Sequence, residues 1–456
     1  MKENSSNSLE SGVTLKKVLS MPYLIMFGLA YLAPTVVFNY YGIITEMTRG
    51  MMALGYAITT VVMFFTAYSY AKMVEAFPVA GSAYTYVQKS VNPYLGFLTG
   101  WIMMLDYLLL PMICYLLMGI YINSYFPALP IWVIVVSVTV LGAAINIIGV
   151  KAAGIVDTVI IAAQMGFTFL LMIVIAKFVT GGGGAGTLVV PEAIYNPANF
   201  SMGAILGASA ILCVSFLGFD AISTLAEETI NPEKTISRAV IYVCVGAGIL
   251  FFVVSYFTQI AWPTAFMEIE DVDSGIFELL RNINADYMAD IFFVADNLAT
   301  FICAMAGLAA VSRVLYGMGR DGALPKAFFG KLNRKFQTPV NNIVLTSLIA
   351  LTALFYQDNL FGAASLISFG AVSGFIMVNL SVIMHYYVKQ KRRQGIDLLK
   401  YLLMPGTGII ICAVLWISLE TNAKILGFGW LAIGIVYLAL TTNFFRKLPP
   451  DMKLDD

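Results

Sequence analysis

Polar and apolar positions alternate on a long scale along this chain. Apolar runs of roughly 20 residues, the length that crosses a hydrocarbon core, are separated by short polar stretches. About twelve such runs begin near Tyr23, Met52, Tyr94, Ile131, Ala153, Phe200, Ala239, Met288, Val340, Phe361, Tyr401 and Ile425. Each reads as a membrane-spanning helix, so the expected fold class is all-α integral membrane with about twelve transmembrane helices. Residues 1–14 are polar, lack the apolar core of a signal peptide and read as a disordered tail.

Composition agrees with that pattern. The 456 residues are 60% hydrophobic and 11% charged, and mean hydropathy is +0.85, whereas a soluble domain carries about 25% charged residues. The charges are unevenly placed. With a cytoplasmic N-terminus and alternating runs, about 22 of the 26 basic residues fall inside, as the positive-inside rule requires. Arg49, Lys177, Arg281 and Lys424 remain outside, so both termini are expected in the cytoplasm. The loop "FMEIEDVDSGIFELL" after the seventh run is acidic. It either concentrates cations at the outer face or is simply solvated.

Formal net charge is zero, which points to no nucleic-acid partner. Cys114, Cys213, Cys244, Cys303 and Cys412 all lie in apolar runs and read as small core residues, neither disulfides nor metal ligands. There is one histidine, His385, which reads as structural or interfacial. No HExxH, GxSxG or CxxC occurs, and Gly181–Gly184 lacks the Lys-Ser/Thr of a phosphate loop. The chain is therefore not expected to be an enzyme and implies no cofactor and no metal.

What remains is polar chemistry inside the membrane. The first run contains "GLAYLAPTVVFNYYG", where Pro34 removes a backbone donor and disfavours helix at Ala33. The sixth contains "ILCVSFLGFDAISTLAEET", where Gly218 is followed by Asp220. Helix breaks at membrane depth occur where they are buried in protein or line a cavity. With runs 1–5 and 6–10 as two halves, the breaks occupy corresponding positions. That is the signature of an inverted-repeat transporter with its site at the midplane; two ordinary kinks are the plainer reading. Asp220 beside such a break can hold a cation or a proton. Asp106, midway along the third run beside Tyr107 and before Pro111, is a second intramembrane acid with no deep Lys or Arg to pair with. Asp157 in run five and Asp296 in run eight are weaker candidates, the latter placed at the outer vestibule.

These blocks resemble the amino acid–polyamine–organocation transporters. "FPVAGSAYTYVQKSVNPYLGFLTGW", "SFLGFDAISTLAEETINPEKTISRA" and "VSRVLYGMGRDGALP" carry the likeness, which runs from about Leu15 to Lys447. "GLAYLAPTVVF", "LDYLLLPMI" and "YLLMPGTG" are similar to bacterial putrescine importers in particular. The resemblance implies a LeuT-like core, a 5+5 inverted repeat with broken helices 1 and 6. That core spans residues 15–387, followed by two added helices over 388–447 and a tail over 448–456. It also implies a multi-pass protein of the bacterial cytoplasmic membrane that works by proton symport or exchange. Substrate would bind between the first and sixth helices with help from the third, eighth and tenth. The implied substrate contacts are Tyr31, Ala33, Pro34, Thr35 and Asn39, with Asp106, Tyr107, Phe216, Gly218 and Asp220. Asp220 matches the position of a proton-sensing acid in the arginine/agmatine exchanger of this family, and Asp220 and Asp157 are the candidates for proton coupling.

The substrate class follows from the first break. Amino-acid members often carry a Gly-Ser-Gly turn there, whose amides bind a carboxylate. Ala33-Pro34-Thr35 offers fewer donors, since Pro34 has no N–H. Asp106 and Asp220 would instead hold the two ammonium groups of a small diamine such as putrescine, taken up with protons. Two departures from the family point elsewhere. Asn39 stands where putrescine importers generally carry an acid, and Gln164 stands where some proton-coupled members carry a Lys. A neutral amino acid transporter is the alternative, and a non-transporting amine sensor a more distant one. Protons, substrate and membrane lipid are the expected partners; monomer and homodimer both stay open. "EETINPEKTISRA" and "GMGRDGALP" fall on the cytoplasmic side, where their charges either pair to gate the inner mouth or anchor loops.

Overall fold

Caps and breaks decide where the apolar runs become helices. The computed structural model describes residues 19–78, 82–148, 154–320 and 324–449, the side chains of Ala30, 154–160 and Glu227 excepted. The described residues are helical or irregular, with one isolated bridge between Leu19 and Thr229. Among the described residues, ten helices are long and apolar enough to cross a membrane. The shorter Val340–Tyr356 and the interrupted segment 21–48 bring the spans to twelve.

The second to fifth spans are Met52–Ala76, Pro93–Tyr125, Ile131–Ile148 and Gly154–Thr180; the seventh and eighth are Pro232–Ala261 and Asp286–Arg320. The tenth starts at Leu360, the eleventh ends at Ser418, and the twelfth is Thr421–Thr441. Several starts are written locally. Asn92 accepts from the Tyr94 amide at 2.8 Å with Pro93 at the first helical position, and Asn359 accepts from the Gly362 amide at 2.7 Å. Both are side-chain caps answering donors that a helix start leaves orphaned. Pro111 lies inside the third span without ending it, and Gly307 of the eighth span packs against Leu110 and Pro111.

The spans sort into two packed groups. Spans two and seven lie together along their length. Gly248 lets Thr60 approach, and the Ser237 hydroxyl donates to the Ala71 carbonyl at 2.9 Å. Span six joins them through Thr59 Oγ1 to the Ser209 carbonyl (3.3 Å) and a 3.1 Å bond between Tyr56 and Ser215 hydroxyls. The first half of span one packs here too, Gly28 lying against Ile222 and Val243. The second group is built on span three, which meets spans four, eight and ten. Asn342 of span nine donates to Ser312 O of span eight at 3.2 Å. Span twelve docks on span three by reciprocal indole bonds, Trp101 to Trp430 O at 2.9 Å and Trp430 to Trp101 O at 2.8 Å.

Candidate functional site

Both long interruptions face each other. The first helix, Met21–Leu32, stops at Ala33, whose φ of +49° is unusual for a residue with a Cβ. The chain restarts with Val36–Asn39 and Tyr41–Thr48. In the sixth span, Met202–Leu212 tightens through Cys213–Phe216, opens at Leu217, and resumes as Ala221–Glu228. Gly218 has φ +124°, a region that only glycine enters without strain, and a Cβ there would lie 2.6 Å from Tyr31 Cδ1. Tyr31 thus packs onto the second break from just before the first.

Asp220 is 6% exposed, and its carboxylate folds back to accept from the Gly218 amide at 3.1 Å. It satisfies a donor freed by the break. Asp106 reaches the same place from span three, where Gly370 of span ten lets the two backbones approach. Asp106 has no hydrogen-bond partner among the described residues. Tyr31, Tyr107, Asp106 and Asp220 lie within electrostatic range of one another. No Lys, Arg or His side chain among the described residues pairs with these acids; the sole ion pair among them joins Lys72 and Glu75 at 2.7 Å. Asp321 and the Glu227 side chain, members of the blocks expected to pair at the inner mouth, lie outside the described residues.

A second polar cluster lies beyond the first break. Asp296 of span eight is 2% exposed and accepts from Thr35 Oγ1 at 2.8 Å and from Thr300 Oγ1 at 3.4 Å. Sequence reasoning put Asp296 at the outer vestibule. The structure ties it directly to a residue of the first break. The Tyr121 hydroxyl of span three donates to Asn39 Oδ1 at 3.3 Å. Cys114 and Cys303 meet between the two clusters, Cys303 near Tyr31 and Cys114 near Asp296.

The remaining candidates fall elsewhere. Phe216 is fully buried and packs edge-on against Phe251, ring centroids 5.6 Å apart. Pro34 is buried and Ala33 partly exposed at the break. Asp157 belongs to the helix Gly154–Thr180, but its side chain lies outside the described residues. Gln164 is 4% exposed, its side-chain amide without a partner among the described residues. Each break contributes a ring to an aromatic cluster. Phe219 interlocks with Tyr70 and Phe375 at 5.5–6.2 Å, and Phe38, just past the first break, with Phe167 and Phe292 at 5.3–5.8 Å.

The two interrupted helices bring Asp106 and Asp220 together with no basic side chain paired to either among the described residues. Known proteins agree with a transporter. The chain is 37% identical over 441 residues to the low-affinity putrescine importer PlaP of Escherichia coli K12, covering 96% of this chain and 97% of the relative. It is 24% identical to the branched-chain amino acid permease BcaP of Bacillus subtilis, covering 95% of each. To the methylthioribose transporter of the same organism it is 26% identical, covering 93% of each. The amino acid permease family model matches residues 23–439, nearly the whole chain, and this multi-pass membrane protein is a member of that family, a transporter and not an enzyme.

Proposed function

We propose that this protein imports a small organic amine, putrescine foremost, across the bacterial cytoplasmic membrane by proton-coupled alternating access. The observation that carries this reading is a set of acids at the two breaks with no basic side chain paired to them among the described residues. A carboxylate in apolar surroundings is costly unless a cation or a proton neutralises it. Where the protein supplies no cation, the substrate and the proton are left to do so. The similarity to a putrescine importer over nearly the full chain supports the same substrate class.

A neutral amino acid is the competing substrate, favoured by Asn39 and by the likeness to an amino acid permease. The break amides weigh against it. An α-carboxylate needs free N–H groups, yet Asp220 already occupies the Gly218 amide, the Val36 and Phe38 amides bond within their own turn, and Pro34 has none. Both termini are taken as cytoplasmic from the distribution of Lys and Arg.

The test is uptake of labelled putrescine into proteoliposomes, with and without an inward proton gradient, competed by amines and amino acids. Gradient-driven uptake competed by diamines supports the proposal; flux of a neutral amino acid with no putrescine uptake overturns it. Asp220→Asn should flatten the pH dependence of uptake. An unchanged profile would move the proton to Asp157.

A further inference from the structure

We propose that Asp296 is a second ammonium anchor, so that a diamine lies between Asp296 on one side and the Asp106–Asp220 pair on the other. This inference rests on the amine-transport reading above and extends it to a specificity-determining residue.

A carboxyl at position 296 needs an explanation that its hydrogen bonds do not provide. Thr35 and Thr300 each donate a hydroxyl to it, but neutral hydroxyls do not offset an ionised carboxylate 2% exposed to solvent. No Lys, Arg or His side chain among the described residues pairs with it. If Asp296 served only to tie span eight to the first break, an uncharged acceptor such as Asn would do so without the desolvation cost.

Position then links Asp296 to the other acids. Cys303 is seven residues further along the same helix, so the two side chains share a face and stand two turns, about 10.5 Å, apart along the axis. Cys303 lies near Tyr31, and Tyr31 packs on Gly218 within range of Asp106 and Asp220. A chain of neighbouring side chains, Cys114, Cys303 and Tyr31, therefore connects Asp296 with the acid pair. An extended four-carbon diamine is roughly 6 Å between nitrogens, and one charge-assisted bond at each end brings the carboxylate-to-carboxylate span to about 12 Å. Asp106 and Asp220 are neighbours that repel when both are ionised. Placing one ammonium against that pair and the other on Asp296 spreads the positive charge over the available acids.

The experiment measures equilibrium binding of propane-1,3-diamine, putrescine, cadaverine and n-butylamine to the full-length purified protein and to three variants. Asp296→Asn should lose at least about 30-fold in putrescine affinity, the worth of one charge-assisted bond, and change little for butylamine. Asp296→Glu brings the carboxylate one methylene closer, so its preferred diamine should be one carbon shorter than that of the wild type. Thr35→Val removes the hydroxyl but keeps the charge and should retain the wild-type chain-length preference. A parallel loss of diamine and monoamine binding in Asp296→Asn would overturn the proposal, as would an unshifted optimum in Asp296→Glu. If Asp296→Asn does not fold, the optimum of Asp296→Glu decides. A wild type that binds no diamine at all would instead overturn the amine reading itself.

Discussion

At the scale of single residues, the site depends on two backbone conformations that ordinary residues resist. Gly218 is the stricter case, because its φ of +124° and the Tyr31 ring both exclude a Cβ. Gly218→Ala should cut putrescine uptake at least about tenfold at unchanged membrane expression, since forcing such a conformation costs on the order of 1–3 kcal/mol. Gly246 in span seven has open space around its Cα. Gly246→Ala should therefore leave uptake intact and raise thermal stability slightly; equal losses in both variants would show that the break conformation is not what matters. Both breaks were legible in the sequence, because Pro34 and Gly218 declare them through the backbone itself. The contact Asp296 makes with the first break was not. Its hydrogen bond comes from Thr35, 261 positions away in the chain, and no local pattern encodes which distant hydroxyl will meet an acid.

At the scale of elements, the apolar runs located the spans to within a few residues, with caps setting the remainder. The run read from about Tyr94 begins with Asn92 as cap and Pro93 as first residue, and the one read from about Phe361 begins at Leu360 behind Asn359. The seventh differs most, extending back from Ala239 to Pro232 because a polar first turn carries the helix out of the apolar zone. The acidic loop after span seven has more structure than its composition suggests. Val272 and Gly275 lie against Gly42 of the first span, and the Asp271 and Glu270 amides both donate to Glu278. Within it, burial and then the neighbouring Asp271 push the Asp273 carboxyl up to about 6, opposed by the Leu360 amide, with Asp358 adding to the rise. The folded protein holds this proton more tightly than the unfolded chain does. Stability from this group is therefore present below the ordinary carboxylate value of 3.8 and lost as pH rises through about 6. Asp273→Asn keeps an acceptor for Leu360 and no longer ionises. Its melting temperature should match that of the wild type near pH 4 and exceed it above about pH 6; a constant difference across that range would remove Asp273 as the cause.

At the scale of the whole molecule, the first span meets the second packed group through different contacts from those inside the first group. Inside the first group, hydroxyls bond to backbone carbonyls and glycines admit close neighbours, as with Ser237 to Ala71 and Gly248 against Thr60. Contacts such as Thr35 with Asp296 and Asn39 with Tyr121 join the first span to spans eight and three through candidate site residues. Substrate and proton would act on these latter contacts, which makes the boundary between groups the natural plane of movement for alternating access. Two aromatic pairs of similar separation can separate the cases. Phe38 and Phe292, centroids 5.7 Å apart, join span one to span eight across the boundary; Tyr56 and Phe251, 5.2 Å apart, join spans two and seven within one group. Replacing each pair with cysteines and bridging them with a short thiol crosslinker should give opposite results. The bridge between positions 38 and 292 should stop net uptake, because it fixes the second half of span one against span eight. The bridge between positions 56 and 251 should leave most uptake in place, since those helices travel together. Uptake that survives the first bridge, or is lost equally to both, would show that transport does not move one group against the other.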